Sequence, residues 1–300
     1  MSKSKEMIRK TNTKNSIVNE ILTADNNRYF IYQYFHNSNT VLSAEEITNY
    51  TLEIAPWIKD IYDKLISFEF NPYVVCRDRI RRFNNFENHL KNDGNKFDDR
   101  VICDEEMMQR HLAKHNELYP YLESIIDYEC VIPHEKKKAS IDLLSYKLDN
   151  EGNLVFIISE LKVCDLHFCE PHSDDPVNKV KDKMKCRETS AAKDILLRAM
   201  MEAATYGCYF YYALKDANHD LFKYLRSIIG TQISDEQIIN AKIEYYIVAP
   251  QNIVNQWSSE CLSKFDKSKF TFFSVEQNNE YSEVGFVKDG KKYFNIEKVN

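Results

Sequence analysis

Glycine and proline are scarce in this chain, which has 6 glycines and 7 prolines among its 300 residues. So low a content excludes collagen-like repeats and glycine-rich linkers, which depend on these residues. It also disfavours a β-sandwich with many tight turns. The hydrophobic fraction of 43% and the aromatic fraction of 13% are large enough for a sizeable core. A chain that is disordered over most of its length is therefore excluded as well.

An excess of positive charge is also missing. The chain has 40 Lys and Arg residues against 46 Asp and Glu residues, a formal net charge of −6 at pH 7. This balance excludes a protein that coats nucleic acid by bulk charge. It leaves room for an enzyme with a local basic groove, because phosphates respond to the charges nearest to them.

Long apolar runs are absent, since runs such as Leu154–Ile158 are far shorter than the roughly 20 residues that span a bilayer. The first residues are polar and lack the apolar centre of a signal peptide. We therefore expect a cytoplasmic protein without membrane contact. Its 8 cysteines are expected to be reduced thiols, most of them packed in the core.

Three familiar sequence motifs are missing too. The chain has neither G-x-x-x-x-G-K-[ST] nor G-x-G-x-x-G, so no loop that cradles nucleotide phosphates is indicated. It also lacks the G-x-S-x-G motif of serine hydrolases. The chemistry must therefore be sought in other residues.

Helical spacing dominates the first part of the chain, where apolar positions predict helices from Ser16 to about Phe70. The run Asn92-Asp-Gly-Asn95 is a turn signal, and after it the pattern changes. We expect a mostly helical region over residues 1–95 and a separate domain over residues 96–300.

The second region alternates helices and strands. The expected elements are a helix over Asp104–Ile126, which Pro120 could break, strands over Cys130–Ile132, Ser140–Leu148 and Leu154–Val163, a helix capped by Thr189 or Ser190 and ending near Leu214, and strands over Ile243–Ala249, Phe270–Val275 and Tyr281–Val287. The order α-β-β-β-α-β predicts an α/β core with a mixed central sheet flanked by helices, extended by C-terminal strands.

The turn Asp149-Asn-Glu-Gly-Asn153 makes the two central strands an antiparallel hairpin. If the register is symmetric about Glu151, Asp142 and Glu160 are cross-strand partners, with Cβ atoms about 5 Å apart. Lys162 lies two residues beyond Glu160 and hence on the same face. The alternation directs Leu143 and Leu161 to the opposite face.

Two opposed carboxylates destabilise a sheet unless something compensates their charge. A divalent cation is suited to this role, since Mg²⁺ takes one or two carboxylates together with waters and phosphate oxygens. The nearby amine of Lys162 could orient or deprotonate a water and offset negative charge. This set suits phosphodiester hydrolysis. The alternative is a surface ion pair of Asp142 and Lys162, with Glu160 in solvent.

The runs Ile141-Asp-Leu-Leu144 and Ser159-Glu-Leu-Lys162 resemble the PD-(D/E)XK nuclease superfamily, over roughly residues 100–250. Ile141 stands where the family name has proline. The resemblance implies a restriction-endonuclease-like core in which Asp142 and Glu160 bind the metal and Lys162 is the catalytic lysine.

The resemblance also implies a further acid from the helix before the first strand. Glu106 is the first choice for this metal ligand, Glu105 the second, and Glu117 a third. The alternative for each is a solvated acid, since acids are common in the first turn of a helix.

The run Glu202-Ala-Ala-Thr-Tyr206 resembles the Gln-x-x-x-Tyr pattern of one branch of the superfamily, with Glu in place of Gln. The spacing places Glu202 and Tyr206 on one helix face. Tyr206 is expected to contact nucleic acid, or alternatively to be a core aromatic.

Positive charge is concentrated in one segment after the Glu160 strand. It carries five cations, Lys179, Lys181, Lys183, Lys185 and Arg187. With the Arg77–Arg82 cluster and Lys136–Lys138, this segment could neutralise phosphates. The alternative is an ordinary solvated loop.

A second metal is suggested by a nearby group of zinc-type side chains: Cys164, His167, Cys169, His172 and Cys186. Zinc prefers such ligands, but the C-x-x-C spacing of structural zinc sites is missing. An iron–sulfur cluster, which some members of the nuclease superfamily carry on cysteines, is one alternative, and ordinary loop or packing residues are the other.

The sequence thus predicts a Mg²⁺- or Mn²⁺-dependent nuclease whose partner is nucleic acid, with DNA favoured over RNA. The alternative is a catalytically inactive nuclease fold that binds nucleic acid or a protein. A homodimer is left open.

Overall fold

The computed structural model describes residues 63–69, 105–132, 139–162, 195–255, 269–277 and 294–299. Within this part of the chain, six strands form one sheet in the order β1 to β6. The strands are β1 (Ser124–Ile132), β2 (Ala139–Leu148), β3 (Leu154–Leu161), β4 (Lys242–Pro250), β5 (Phe270–Gln277) and β6 (Phe294–Lys298). β4 is parallel to β3 and β5, and all other neighbours are antiparallel. The predicted mixed sheet is therefore confirmed.

Helices flank the sheet. They are α1 (Glu105–Lys114), α2 (Ile195–Leu214), α3 (Asp220–Ile229), α4 (Asp235–Ile239) and α5 (Gln251–Val254). Two separate clusters of buried side chains hold them in place: α1 belongs to one cluster, and α2 to α5 belong to the other. Among the described residues, no helix combines the length and the hydropathy that crossing a membrane requires.

The hairpin of β2 and β3 has the predicted register. Leu143 pairs with Ser159 and Leu148 pairs with Leu154, so the pairing is symmetric about Glu151. The turn is built by Asp149, whose carboxylate accepts the backbone N–H groups of Glu151 and Asn153 at 3.0 and 2.9 Å. Short polar side chains that bond to the backbone in this way favour turns.

The predicted helix over Asp104–Ile126 is wrong beyond Lys114, where α1 ends. Two short 3₁₀ turns follow, and β1 begins at Ser124, so the predicted strand over Cys130–Ile132 is only its last part. Asn116 provides the physical reason. Its side chain donates to the Glu123 carbonyl at 2.8 Å and accepts the Ile125 N–H at 3.0 Å, which ties the chain into a connection.

The later predicted strands β4 and β5 are confirmed, whereas α3, α4, α5 and β6 were not predicted. The predicted strand over Tyr281–Val287, the start of the α2 helix and the N-terminal helices as far as residue 62 lie outside the described residues. The division into residues 1–95 and 96–300 stays a prediction.

One short stretch of the N-terminal region packs on the α/β core. Ile66 is buried in the cluster on the α2 side of the sheet. The ring of Phe68 stacks on Tyr211 with a centroid distance of 4.1 Å. The Tyr212 hydroxyl donates to the Phe68 carbonyl at 2.7 Å, and Lys269 Nζ donates to the Ile66 carbonyl at 2.7 Å. This stretch is therefore bound to α2 and to the start of β5.

Gly207 lets α2 approach the sheet closely, because a Cβ atom at this position would overlap the hydroxyl and ring of Tyr245 on β4. We expect Gly207→Ala to lower the free energy of unfolding by about 1–3 kcal/mol, since overpacking a core forces neighbouring groups to shift. Urea denaturation measures this. In a Tyr245→Leu background the same substitution should cost less. A stabilised Gly207→Ala protein would contradict the close packing.

Asp127 on β1 is buried. Its carboxylate accepts hydrogen bonds from the Tyr224 hydroxyl and the Tyr128 N–H, each at 2.8 Å. Burial raises the pKa of Asp127 from 3.8 to about 7. A raised pKa means that the folded state binds the proton more tightly, so this contribution to stability is complete at low pH and is lost as pH rises to about 7.

The stability of the wild-type protein relative to Asp127→Asn should therefore fall between pH 4 and pH 8. A pKa that differs by one between the folded and unfolded states corresponds to about 1.4 kcal/mol. Urea denaturation of both proteins across this range measures the difference. Parallel stability curves for the two proteins would show that Asp127 does not titrate in this way.

Candidate active site

Asp142 on β2 is held by two hydrogen bonds that use both of its carboxylate oxygens. The backbone N–H of Leu161 donates to Oδ2 at 2.7 Å, and Gln109 Nε2 on α1 donates to Oδ1 at 2.8 Å. The regular pairing of β2 with β3 ends at Leu143 and Ser159. Its register, continued by one residue, places Asp142 opposite Glu160, as predicted. The backbone N–H of Leu161, at the end of β3, thus donates to the side chain of Asp142 and not to a backbone carbonyl of β2.

The packing of β2 changes at Asp142. Leu143 belongs to the α1-side cluster, as the alternation predicts, but Ile141 belongs to the α2-side cluster although it is only two residues away. The neighbouring residue on β1, Glu129, has a positive φ of 49°. The prediction of a regular alternation through Asp142 is therefore wrong at this position. Local irregularities of this kind redirect side chains and are common beside active sites.

Lys162 follows directly after β3, and its side chain contacts Glu202 on α2. Its Nζ atom donates to Glu160 Oε1 at 2.6 Å and to Glu202 Oε2 at 2.9 Å. Its backbone N–H donates to the Val248 carbonyl on β4 at 2.8 Å, which fixes the base of the side chain. The exposed fraction of the side chain is 16% for Lys162, 5% for Glu160 and 13% for Glu202. Both ion pairs are therefore largely shielded from water.

The site brings together more acidic groups than basic groups. Burial raises the pKa of Asp142 well above its usual value, and the charge of Glu105 raises it further. Burial also raises the pKa of Glu160, with Asp142 as the next cause. For Lys162, burial lowers the pKa, but the carboxylates of Glu160 and Glu202 outweigh it, and the net pKa is well above the usual value. Two acids thus contact the ammonium group of Lys162, and the charges of Glu105 and Asp142 also act on it.

The residues fit a divalent cation. Glu160 Oε2 is buried and accepts no hydrogen bond from the described residues, so this oxygen can serve as a ligand, and the Glu202 carboxyl lies within hydrogen-bond reach of the Glu160 carboxyl. Hard cations such as Mg²⁺ prefer carboxylate oxygens and need only one or two of them beside waters. Within the described ranges, no group of three or more His, Cys, Asp or Glu side chains is arranged for a metal ion. Asp142 and Glu160 are the residues that would hold such a cation.

Among the acids predicted on α1, the structure brings Glu105 to the site. Its charge acts on both Asp142 and Lys162. The side chain of Glu106, the first choice, lies outside the described residues. Glu117 is 67% exposed and lies 3.7 Å from His115, as expected for a solvated acid.

The predicted nucleic-acid-binding residues lie mostly outside the described residues. This holds for Lys179, Lys181, Lys183, Lys185 and Arg187, and also for the Arg77–Arg82 cluster, Lys136–Lys138 and the zinc-type group Cys164, His167, Cys169, His172 and Cys186. Tyr206 is described and is only 4% exposed within the α2-side cluster. Its burial favours the core alternative, and its contact with nucleic acid stays a prediction.

Sequence reasoning missed Gln109, whose amide holds Asp142. A signal was present, because Gln109 follows Glu105 by four residues and the two share a face of α1. The spacing of Glu202 to Tyr206 drew attention to Glu202, but did not predict it as a partner of Lys162.

No protein-family model, curated protein or solved structure matches this chain.

Proposed function

We propose that the protein hydrolyses nucleic acid phosphodiester bonds with the help of Mg²⁺ or Mn²⁺, and that it prefers DNA to RNA as its substrate. The observation that carries the proposal is the placement of Asp142, within β2, beside the end of β3, where the Leu161 N–H donates to Asp142 Oδ2 and Lys162 Nζ donates to Glu160 Oε1. The order α1-β1-β2-β3-α2-β4 supports a restriction-endonuclease-like core, with α3 and α4 inserted before β4.

In this proposal Asp142 and Glu160 hold the cation in different ways. When bound, the cation would polarise a phosphate oxygen and make a bound water more acidic. Asp142 would hold it rigidly, since Gln109 and the Leu161 N–H fix both of its carboxylate oxygens. Glu160 offers the buried oxygen that lacks a partner among the described residues.

Lys162 acts as a cation in this proposal. Its pKa is raised by the neighbouring carboxylates, so it is an ammonium group at neutral pH. An ammonium group donates hydrogen bonds and accepts none. It would therefore orient the attacking water or stabilise negative charge on the phosphate, and it would not remove the proton itself.

A catalytically inactive binding module is the second candidate. The observation in its favour is that Lys162 already bonds to both Glu160 and Glu202. A buried ion cluster of this kind can fix a fold without catalysing a reaction.

The test is incubation of the purified protein with single- and double-stranded DNA and RNA, in EDTA and in Mg²⁺ or Mn²⁺. Cleavage that requires the cation and stops in EDTA supports the nuclease. Binding of nucleic acid without cleavage in any of these cations favours the binding module.

A further inference from the structure

Gln109 is a buried side chain of the site, and only one of its two polar atoms has a hydrogen-bond partner among the described residues. It is 4% exposed, and its Nε2 atom donates to Asp142 Oδ1 at 2.8 Å. Its other polar atom, Oε1, is buried and has no hydrogen-bond partner among the described residues. A buried polar atom without a partner costs stability, and such atoms in native proteins call for an explanation.

The position of the unpaired oxygen suggests that explanation. Oε1 belongs to the same amide group as Nε2, so it lies within a few ångströms of Asp142. Glu160 Oε2 is the second buried oxygen in this network without a partner among the described residues. Both atoms are acceptors, and both lie beside an excess of carboxylates. A hydrated divalent cation would satisfy both, because its bound waters are strong hydrogen-bond donors.

We propose that Gln109 is a positioning residue of the cation site, whose Nε2–H fixes Asp142 and whose Oε1 accepts a hydrogen bond from a water bound to the cation. This inference rests on the proposed function, since it requires the cation at Asp142. Groups that hold metal ligands in place typically change metal affinity by about 10–100-fold when they are replaced.

Glu105 lies one turn before Gln109 on α1 and acts on the same carboxylate. The helix therefore supplies two side chains to Asp142, one that repels negative charge and one that donates a hydrogen bond. A bound cation would offset the repulsion, which the amide cannot do.

The experiment compares wild-type protein with Gln109→Met, which keeps the length of the side chain and removes both polar atoms. Two quantities are measured: the Mn²⁺ dissociation constant by calorimetry, and the melting temperature of the metal-free protein. We expect the dissociation constant to rise about 10-fold or more. We expect the melting temperature to fall slightly at most, because the loss of the Nε2 donor to buried Asp142 opposes the gain from removing the unpaired Oε1. Gln232→Met, at an exposed turn position, is the matched control and should change neither quantity.

The outcomes separate this inference from the proposed function. Wild-type protein that binds no Mn²⁺ overturns both. Wild-type protein that binds Mn²⁺ with the same affinity as Gln109→Met overturns the role of Gln109 alone. Weaker Mn²⁺ binding by a Gln109→Met protein that already melts below the temperature of the calorimetry assigns Gln109 a purely structural role and also overturns the inference.

Discussion

Replacing Glu160 by glutamine is expected to slow cation-dependent cleavage of nucleic acid by about 1,000-fold or more, because loss of a metal ligand removes several kcal/mol of transition-state stabilisation. Asp142→Asn should have an effect of the same order. Both changes keep the size of the side chain and remove the negative charge. The buried Glu160 Oε2 would become part of an amide group, which binds Mg²⁺ less well than a carboxylate does. Single-turnover cleavage at saturating Mg²⁺ or Mn²⁺ measures the effect.

Glu151→Gln is the matched control for this prediction. Glu151 lies in the exposed hairpin turn, on the same hairpin as both acids. Its replacement should leave the cleavage rate unchanged. Thermal melting of each variant without metal confirms that the protein is folded. If Glu160→Gln and Asp142→Asn cleave as fast as Glu151→Gln, these acids do not form the catalytic site.

The second large effect is expected for Lys162→Met. Without the ammonium group, the buried carboxylates of Glu160 and Glu202 lose the donor that holds them at 2.6 and 2.9 Å. Breaking a buried ion pair by removing one partner costs about 3–5 kcal/mol. We expect a loss of this order in the free energy of unfolding of the metal-free protein at neutral pH. Cleavage should fall by about 100-fold or more, as for the loss of a positioned proton donor or cation.

The pH dependence of Lys162→Met has a defined sign. The pKa of Glu160 is already raised by burial, and Lys162 is the group that lowers it, so removing Lys162 raises it further. A raised pKa means that the folded state favours the protonated carboxyl group. The free energy of unfolding therefore falls as pH rises and recovers as pH falls. Urea denaturation at several pH values should show the loss growing with pH. Added Mn²⁺ should stabilise Lys162→Met more than wild type.

Lys147→Met is the control for this variant. Lys147 Nζ lies 2.7 Å from Glu244 Oε2, but these side chains are 27% and 29% exposed. More exposed pairs contribute about 1 kcal/mol or less. A Lys162→Met protein that is no less stable than Lys147→Met, and whose stability does not change with pH differently from wild type, would show that Lys162 is not a buried counter-ion.

The hairpin was predictable because its information is local. A turn of short polar residues with Gly152 at a φ of 79° sets the centre, and the side-chain period of two then fixes every pair along the strands. For this reason the cross-strand position of Asp142 relative to Glu160, and the place of Lys162 beyond it, followed from the sequence. The turn residues and the strand residues favour the same register.

The remaining site geometry depends on contacts between distant parts of the chain. Whether Glu105 or Glu106 faces Asp142 depends on the rotation of α1 against the sheet, and adjacent helix residues differ by about 100° around the axis. Gln109 reaches Asp142 across 33 positions of sequence, and Lys162 reaches Glu202 across 40. Neither contact is encoded in the pattern of a single element.

The end of α1 shows how a tertiary contact overrides a periodic pattern. Apolar residues continue at helical spacing past Lys114, and this spacing predicted a longer helix. Asn116 instead bonds to two backbone groups of the following connection. Tyr119 is buried there, and its hydroxyl contacts His111 at 2.9 Å and accepts the Phe294 N–H at 3.2 Å. Phe294 is 175 positions away, so no local window of sequence contains this contact.

The proposed function requires a divalent cation between Asp142 and Glu160. The most direct measurement is anomalous scattering from a crystal of the wild-type protein soaked in Mn²⁺. We predict one peak within coordination distance of a carboxylate oxygen of each residue, with Glu160 Oε2 as one ligand. A fully soaked crystal with no peak at these carboxylates, and with Lys162 still bonded to Glu160 and Glu202, would contradict a cation site formed by Asp142 and Glu160.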